Sequence, residues 1–160
     1  MSKSNAPLFA TPEDAETAFY EAIQTSQLDA LMAVWADDEE VVCVHPNGQR
    51  MVGHSAIRES WRAILASNRR LHIGVSRSVR WTSMLMSVHS VIEHITIDGE
   101  TPGESMGGGE GGEAGGGTLT LAGTNVLLRG ANGWRLLSHH SSAIQEQTDS
   151  EPNGGPRVLH

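Results

Sequence analysis

The segment MLMSVHSVIEHITI, residues 84–97, carries apolar side chains on both of its faces. Successive residues of an extended strand point to opposite sides, so Val88 and Ile92 share one face and Val91 and Ile95 the other. A sheet that is apolar on both faces needs cover on both. Neighbouring segments also read as strands: Leu71 to Trp81 before it, then Thr118 to Leu128 and Trp134 to Ser142 after it. Gly130-Ala131-Asn132-Gly133 joins the last two, and its Asn-Gly pair predicts a tight hairpin.

Upstream of this meander the periodicity is helical. Thr11 is placed to cap a first helix, Pro12 suits its first position, and Glu13 and Asp14 favour the positive end of its dipole. Ala15, Ala18, Phe19, Ala22 and Ile23 then fall on one face. Ser26 is the expected cap of a second helix bearing Leu28, Leu31, Met32 and Trp35. Val41 to His45 reads as a short strand, with Val41, Cys43 and His45 on one face. Pro46-Asn47-Gly48 signals a turn, and Arg50 to Val52 a second short strand. A third helix follows, burying Ile57, Trp61, Ile64 and Leu65. Helices followed by a run of strands define an α+β fold, with three N-terminal helices packed on one face of a curved, mostly antiparallel sheet.

The expected domain spans residues 11–145, between a flexible N-terminus, 1–10, and a disordered tail, 146–160. A glycine-rich stretch, 98–117, interrupts it. That stretch has no Gly-Lys-Ser/Thr ending and no helix after it, so it reads as a flexible connection and not a phosphate cradle. The net charge of −8 and the scattered basic residues, such as Arg69-Arg70, argue against nucleic acid and against an anionic membrane surface. Cys43 is the only cysteine, which fits a reducing cytoplasm. The start of the chain lacks a basic segment followed by an apolar run, so no signal peptide is expected, and no apolar run is long enough to span a bilayer.

Several motifs carry a family resemblance. Leu28-Asp29-Ala30-Leu31 followed by Trp35-Ala36-Asp37-Asp38, then His45-Pro46, then Gly53-His54-Ser55-Ala56-Ile57-Arg58, resemble SnoaL-like proteins of the nuclear transport factor 2-like superfamily. The closing Gly133-Trp134-Arg135-Leu136-Leu137-Ser138-His139-His140-Ser141-Ser142 is similar to that superfamily's last strand. The resemblance implies a cone whose helices close over the sheet, a pocket at the open end and a homodimer through the other sheet face. It does not imply one activity, because the fold hosts isomerases, dehydratases and assembly domains.

The resemblance singles out His45 as a candidate general base, since ketosteroid isomerases carry an Asp before a proline at about this place. The oxyanion-binding Tyr of those enzymes aligns with Phe19. Tyr20 is one residue away, about 100° around the helix. Asn125, His139 and Ser141 share one parity with Leu127 and Leu137 and are candidate polar contacts. The calcium/calmodulin-dependent kinase II association domain, which this chain also resembles, carries arginines at the places of Asn125 and Ser141. The neutral residues here argue against an anionic ligand. Strand parity turns either His139 or His140 away from the pocket.

Phe19, Trp35, Ile57 and Trp61 are the expected apolar wall. His89 and Glu93 lie four apart on one parity, about 13 Å in a strand and too far to hold one ion together. No pair among His45, His72, His89, His94 and His139 has metal-ligand spacing, and no metal or cofactor is expected. The expected ligand is a small, uncharged or weakly polar organic molecule. The alternatives are a proton-transfer enzyme of isomerase or dehydratase type and a non-enzymatic dimeric ligand-binding or assembly module.

Overall fold

The computed structural model describes residues 6–67, 70–98 and 117–145. Most of the glycine-rich stretch (99–116) and the tail (146–160) lie outside the described residues, as do residues 1–5 of the N-terminus. Three helices are present among the described residues: α1 (Pro12–Gln24), α2 (Leu28–Ala33) and α3 (His54–Leu65). Six strands, β1 (Val42–Val44), β2 (Arg50–Val52), β3 (Arg70–Thr82), β4 (Met86–Asp98), β5 (Thr118–Gly130) and β6 (Gly133–Ala143), form one sheet in the order β2-β1-β6-β5-β4-β3. The antiparallel meander β3 to β6 is the one expected from the sequence, and β1 joins it parallel to β6.

α1 begins as its sequence dictates. The Thr11 hydroxyl accepts the Asp14 amide at 3.1 Å, and Pro12 opens the first turn. α2 departs from expectation at both ends. Its cap position is Gln27, with no side-chain cap bond, while Ser26 sits at φ 54. At its far end Val34 to Ala36 leave the helix and run beside β6. The Leu136 amide donates to the Val34 carbonyl and the Ala36 amide to the Leu136 carbonyl, both at 2.8 Å. Pairing with β6 satisfies the Val34 carbonyl and the Ala36 amide, which the end of the helix leaves without helical partners. Trp35 therefore sits on a bridge to Leu136 and not on a helix.

The β5–β6 hairpin turns through Ala131 and Asn132 with Gly133 at φ 86. Neither Ala131 nor Asn132 has a positive φ, so the Asn-Gly pair serves a type I turn closed by a left-handed glycine, not a primed two-residue turn. Within the stretch read as a flexible N-terminus, Phe9 is buried: its carbonyl accepts from Trp134, and the Arg135 guanidinium lies 4.7 Å from its ring centroid.

Two bulges reset strand parity. One falls between Ser76 and Val79 on β3, where Arg77 adopts φ 49. The other falls on β6, where Val126 opposes Ser138 but Leu127 opposes Leu136. Leu137 is the extra residue. Leu136, not Leu137, is the fully buried partner of Leu127, while His139 and Ser141 still face inward. The core lies between the helices and this inner face. Phe19 is wholly buried at its centre, edge-on to Trp35 (6.1 Å) and Trp61 (5.9 Å). Each such pair contributes about 0.5–1.5 kcal/mol beyond area burial.

Candidate active site

The inner face of the sheet is unusually polar for a core. Ser87, His89, Glu93, Asn125, His139 and Ser141 are all buried on it, and Glu16 of α1 is buried against them. Burying such groups is tolerated only when they satisfy one another. Here they do, through one connected network.

Asn125 is its hub. Its Nδ2 donates to Glu16 Oε2 at 2.9 Å and to the Tyr20 hydroxyl at 3.0 Å. Its Oδ1 lies 2.6 Å from His139 Nδ1. Glu16 Oε2 also meets His89 Nδ1 at 2.8 Å, and His89 Nε2 meets the Ser87 hydroxyl at 2.9 Å. Beyond Asn125, the Tyr20 hydroxyl donates to Glu93 Oε1 at 2.9 Å and Ser141 donates to Glu93 Oε2 at 2.6 Å. Burial pushes the Glu93 carboxyl above the usual carboxylate range, against the pull of these two donors. Burial holds His139 down at about 3, helped by the nearby His45 and His140, so its ring is neutral at pH 7.

The network floors a cavity of about 190 Å³. Tyr20 and Ile23 of α1 and Trp61 and Ile64 of α3 wall one side. Leu71 and Ile73 of β3, Ile95 and Ile97 of β4, and Leu119 and Leu121 of β5 wall the other. Glu93, His139 and Ser141 supply polar groups. His45 and Pro46 stand where the cavity meets an outer groove lined by Asn47, Gln49, Ala56 and Glu59. The His45 ring is edge-on to Trp61 at 4.9 Å, and its Nε2 lies 3.0 Å from the Ser60 hydroxyl. That hydroxyl also donates to the Ile57 carbonyl at 3.0 Å, which suits an Nε2–H donating to Ser60 and leaves the Nδ1 lone pair free. Burial lowers the proton affinity of His45, so it is an unprotonated base near neutral pH.

Of the residues singled out from the sequence, His45, Trp61, His139 and Ser141 come together around this cavity. Phe19 lies behind it, 4.8 Å from the His139 ring, and Asn125 lies beneath it as the hub. Ile57 belongs to the helix-side core. Trp35 lines a separate surface cleft with Asp37 and Arg135. His139 is buried and His140 exposed, which resolves the parity question. His72 pairs with Asp98 and His94 with Ser76, both outside the cavity network. Among the described residues no three His, Cys, Asp or Glu side chains are grouped to hold an ion. Burial pushes the Cys43 thiol up to about 12, so it is an unreactive packing group.

Sequence reasoning missed Glu16, Tyr20, His89 and Glu93 as site residues. Tyr20, read as turned away from the oxyanion position, is the helix residue whose hydroxyl reaches the cavity. The available signal was the coincidence of polar residues at inward positions: Ser87, His89 and Glu93 on β4 alternate like core residues, and Glu16 and Tyr20 are stacked four apart on α1.

An α+β cone with a curled sheet and a helix-covered inner face is the nuclear transport factor 2-like, cystatin-like fold. A protein from Caulobacter vibrioides described as having a cystatin-like fold shares it at 14% identity, covering 84% of this chain and 87% of that one, with a TM-score of 0.64. The sequence itself matches the SnoaL-like domain over residues 13–146, and the chain belongs to the SnoaL-like family. A structure from Thiobacillus denitrificans, described as a calcium/calmodulin-dependent protein kinase type II association domain, is 33% identical over 87% of this chain and 99% of that one, at a TM-score of 0.64. A structure from Streptomyces avermitilis, described as a dehydratase of the nuclear transport factor 2-like family, is 27% identical over 82% and 92%, at 0.68. No functionally curated protein matches the chain. No helix among the described residues is long and apolar enough to cross a membrane.

Proposed function

We propose that this protein binds a small organic molecule in the inner cavity and moves a proton on it, in an isomerisation or dehydration, with His45 as base. The observation that carries this reading is the position of His45: a buried, unprotonated imidazole at the junction of an apolar cavity and the outer groove. The walls are apolar along most of their length, which suits a ligand that is uncharged or weakly polar there. The likeness to the structure described as a dehydratase supports the same reaction class.

A second reading has its own support. The Tyr20 hydroxyl is engaged with Glu93 and is not free to stabilise an oxyanion, which favours a non-enzymatic ligand-binding or assembly module. The likeness to the structure described as an association domain points the same way. Under either reading we propose a homodimer through the outer sheet face, in the cytoplasm. Val79 and Trp81 of β3 and Met86 of β4 are 51%, 60% and 40% exposed there, with Met84 at 82% on the adjoining turn. Sedimentation at micromolar concentration should give twice the chain mass, and Trp81→Asp should halve it; a wild-type monomer removes the dimer.

A thermal-shift screen against a metabolite library tests the site. A ligand present at a hundred times its Kd adds about 2.7 kcal/mol of stability. That corresponds to a rise of roughly 5–10 °C for a domain of this size. His45→Ala should shrink the rise and abolish turnover of the same compound. An undiminished response in the mutant makes His45 structural. A ligand recovered unchanged from wild-type protein decides for the module.

A further inference from the structure

We propose that the cavity takes the protonated head of a small amine, seated between Glu93 and His139. This rests on the reading of the cavity as a small-molecule site and adds a charged end to an otherwise apolar ligand.

Around Asn125 and Glu93 the partners dictate the direction of each hydrogen bond. Asn125 must turn its NH2 toward Glu16 and Tyr20, because a carboxylate oxygen can only accept there. Its oxygen therefore faces His139, and His139 Nδ1 must carry the hydrogen. The neutral ring is left with a bare lone pair on Nε2. Tyr20 and Ser141 spend their hydrogens on Glu93, so its carboxylate is also an acceptor. His139 Nε2 and Glu93 Oε1 stand 3.9 Å apart, too far for a direct bond and close enough for one donor group to reach both. Both side chains are more than nine-tenths buried. No donor in the network points between them.

The occupant that fits has at least two hydrogens to give. A carbonyl or carboxylate offers acceptors only, and a hydroxyl has one hydrogen for two acceptors. An ammonium has three, and it brings the positive charge that Glu93 lacks: among the described residues no Lys or Arg is buried. Behind the head, Ile23, Ile64, Leu71, Ile73, Ile95 and Leu121 suit an apolar body. At about 190 Å³ the cavity lies below the roughly 300–1,000 Å³ of drug-sized sites, so the amine is small.

The test is calorimetric titration of the wild-type protein at pH 7.5 with benzylamine, benzyl alcohol and benzoate, which share one ring. Benzylamine should bind about tenfold or more tighter than benzyl alcohol, the range of charge-assisted hydrogen bonds, and benzoate should not bind. The ¹⁵N shift of His139 Nε2 should move on adding benzylamine, since a chain of this net charge also attracts amines to its surface. Glu93→Gln should bring the amine-to-alcohol ratio to about one while the alcohol still binds. Equal or tighter binding of the alcohol, binding of benzoate, or amine binding that leaves His139 unmoved overturns the proposal but spares the pocket. If none of the three binds, the proposal falls, and the library screen decides the pocket reading by itself.

Discussion

Asn125→Leu is expected to destabilise the protein by about 3–5 kcal/mol, because several buried partners lose a bond at once. Leucine keeps the branching of asparagine but carries bulkier end groups, so overpacking at this fully buried position adds to the loss. Glu16 keeps its bond to His89, and Tyr20 keeps its bond to Glu93. His139 Nδ1–H loses its only acceptor. Whether or not it carries the hydrogen, Nδ1 then faces leucine without a partner; one buried polar group left unpaired costs about 1–3 kcal/mol, and two weakened partners add to it. For a domain of this size the melting temperature should fall by roughly 10 °C or more. The variant should also switch the His139 tautomer: with no acceptor at Nδ1, the proton is better placed on Nε2, beside Glu93. Long-range ¹H–¹⁵N correlation of the imidazole reads this directly. An unchanged tautomer, or a melting temperature within a degree or two of wild type, would show that the hub does not organise the floor.

Gly123→Ala should lower stability by about 2–4 kcal/mol, although alanine is ordinarily the better strand residue. Gly123 stands on the inner face of β5 opposite Val91 and Ser141. A Cβ there would lie 2.3 Å from Glu93 Oε1 and 3.0 Å from a Val91 methyl. A carboxylate at the end of a flexible side chain can usually swing aside. This one is held by Tyr20 and Ser141 in a buried site, so moving it breaks two charge-assisted bonds. Gly74→Ala is the matched control. Its Cβ would meet only His94 Cβ at 4.0 Å, and it should gain roughly 0.5–1 kcal/mol. Urea denaturation of the pair separates the close approach from the general effect of removing a strand glycine. If Gly123→Ala proves as stable as Gly74→Ala, the carboxylate does not sit over β5.

The network sets ligand recognition by Glu93 and His139 against oxyanion stabilisation by Tyr20. The same bonds that make Glu93 and His139 a defined acceptor pair engage the Tyr20 hydroxyl, the natural donor to a developing oxyanion. A carbonyl substrate would have to displace Tyr20 from Glu93. A donor-bearing ligand would not.

Much of the scaffold follows from local pattern. Thr11 and Pro12 start α1, the alternation through Val41, Cys43 and His45 aims the candidate base inward, and the glycines around Ala131-Asn132 close the last hairpin. The meander follows because each strand reads alone as a strand. Where counting failed, it met something non-local. Leu137 was misassigned because a bulge on β6 adds a residue that alternation cannot foresee. Trp35 left its helix because Val34 and Ala36 found backbone partners on Leu136, a hundred residues away in round terms.

The chain's order of elements, the inward parity of His45 and the match to the SnoaL-like family were fixed by residues close together in sequence, since caps, periodicity and turns act over a few positions. The site floor was decided only by folding. Glu16 with His89, Tyr20 with Glu93, and Asn125 with both helix residues are pairs 73, 73, 109 and 105 positions apart, and a polar side chain at an inward position is tolerated only when such a partner is delivered to it. Helix rotation and sheet curl set those meetings, so burial of these groups, and the hydrogen-bond directions that define the cavity, belong to the tertiary structure alone.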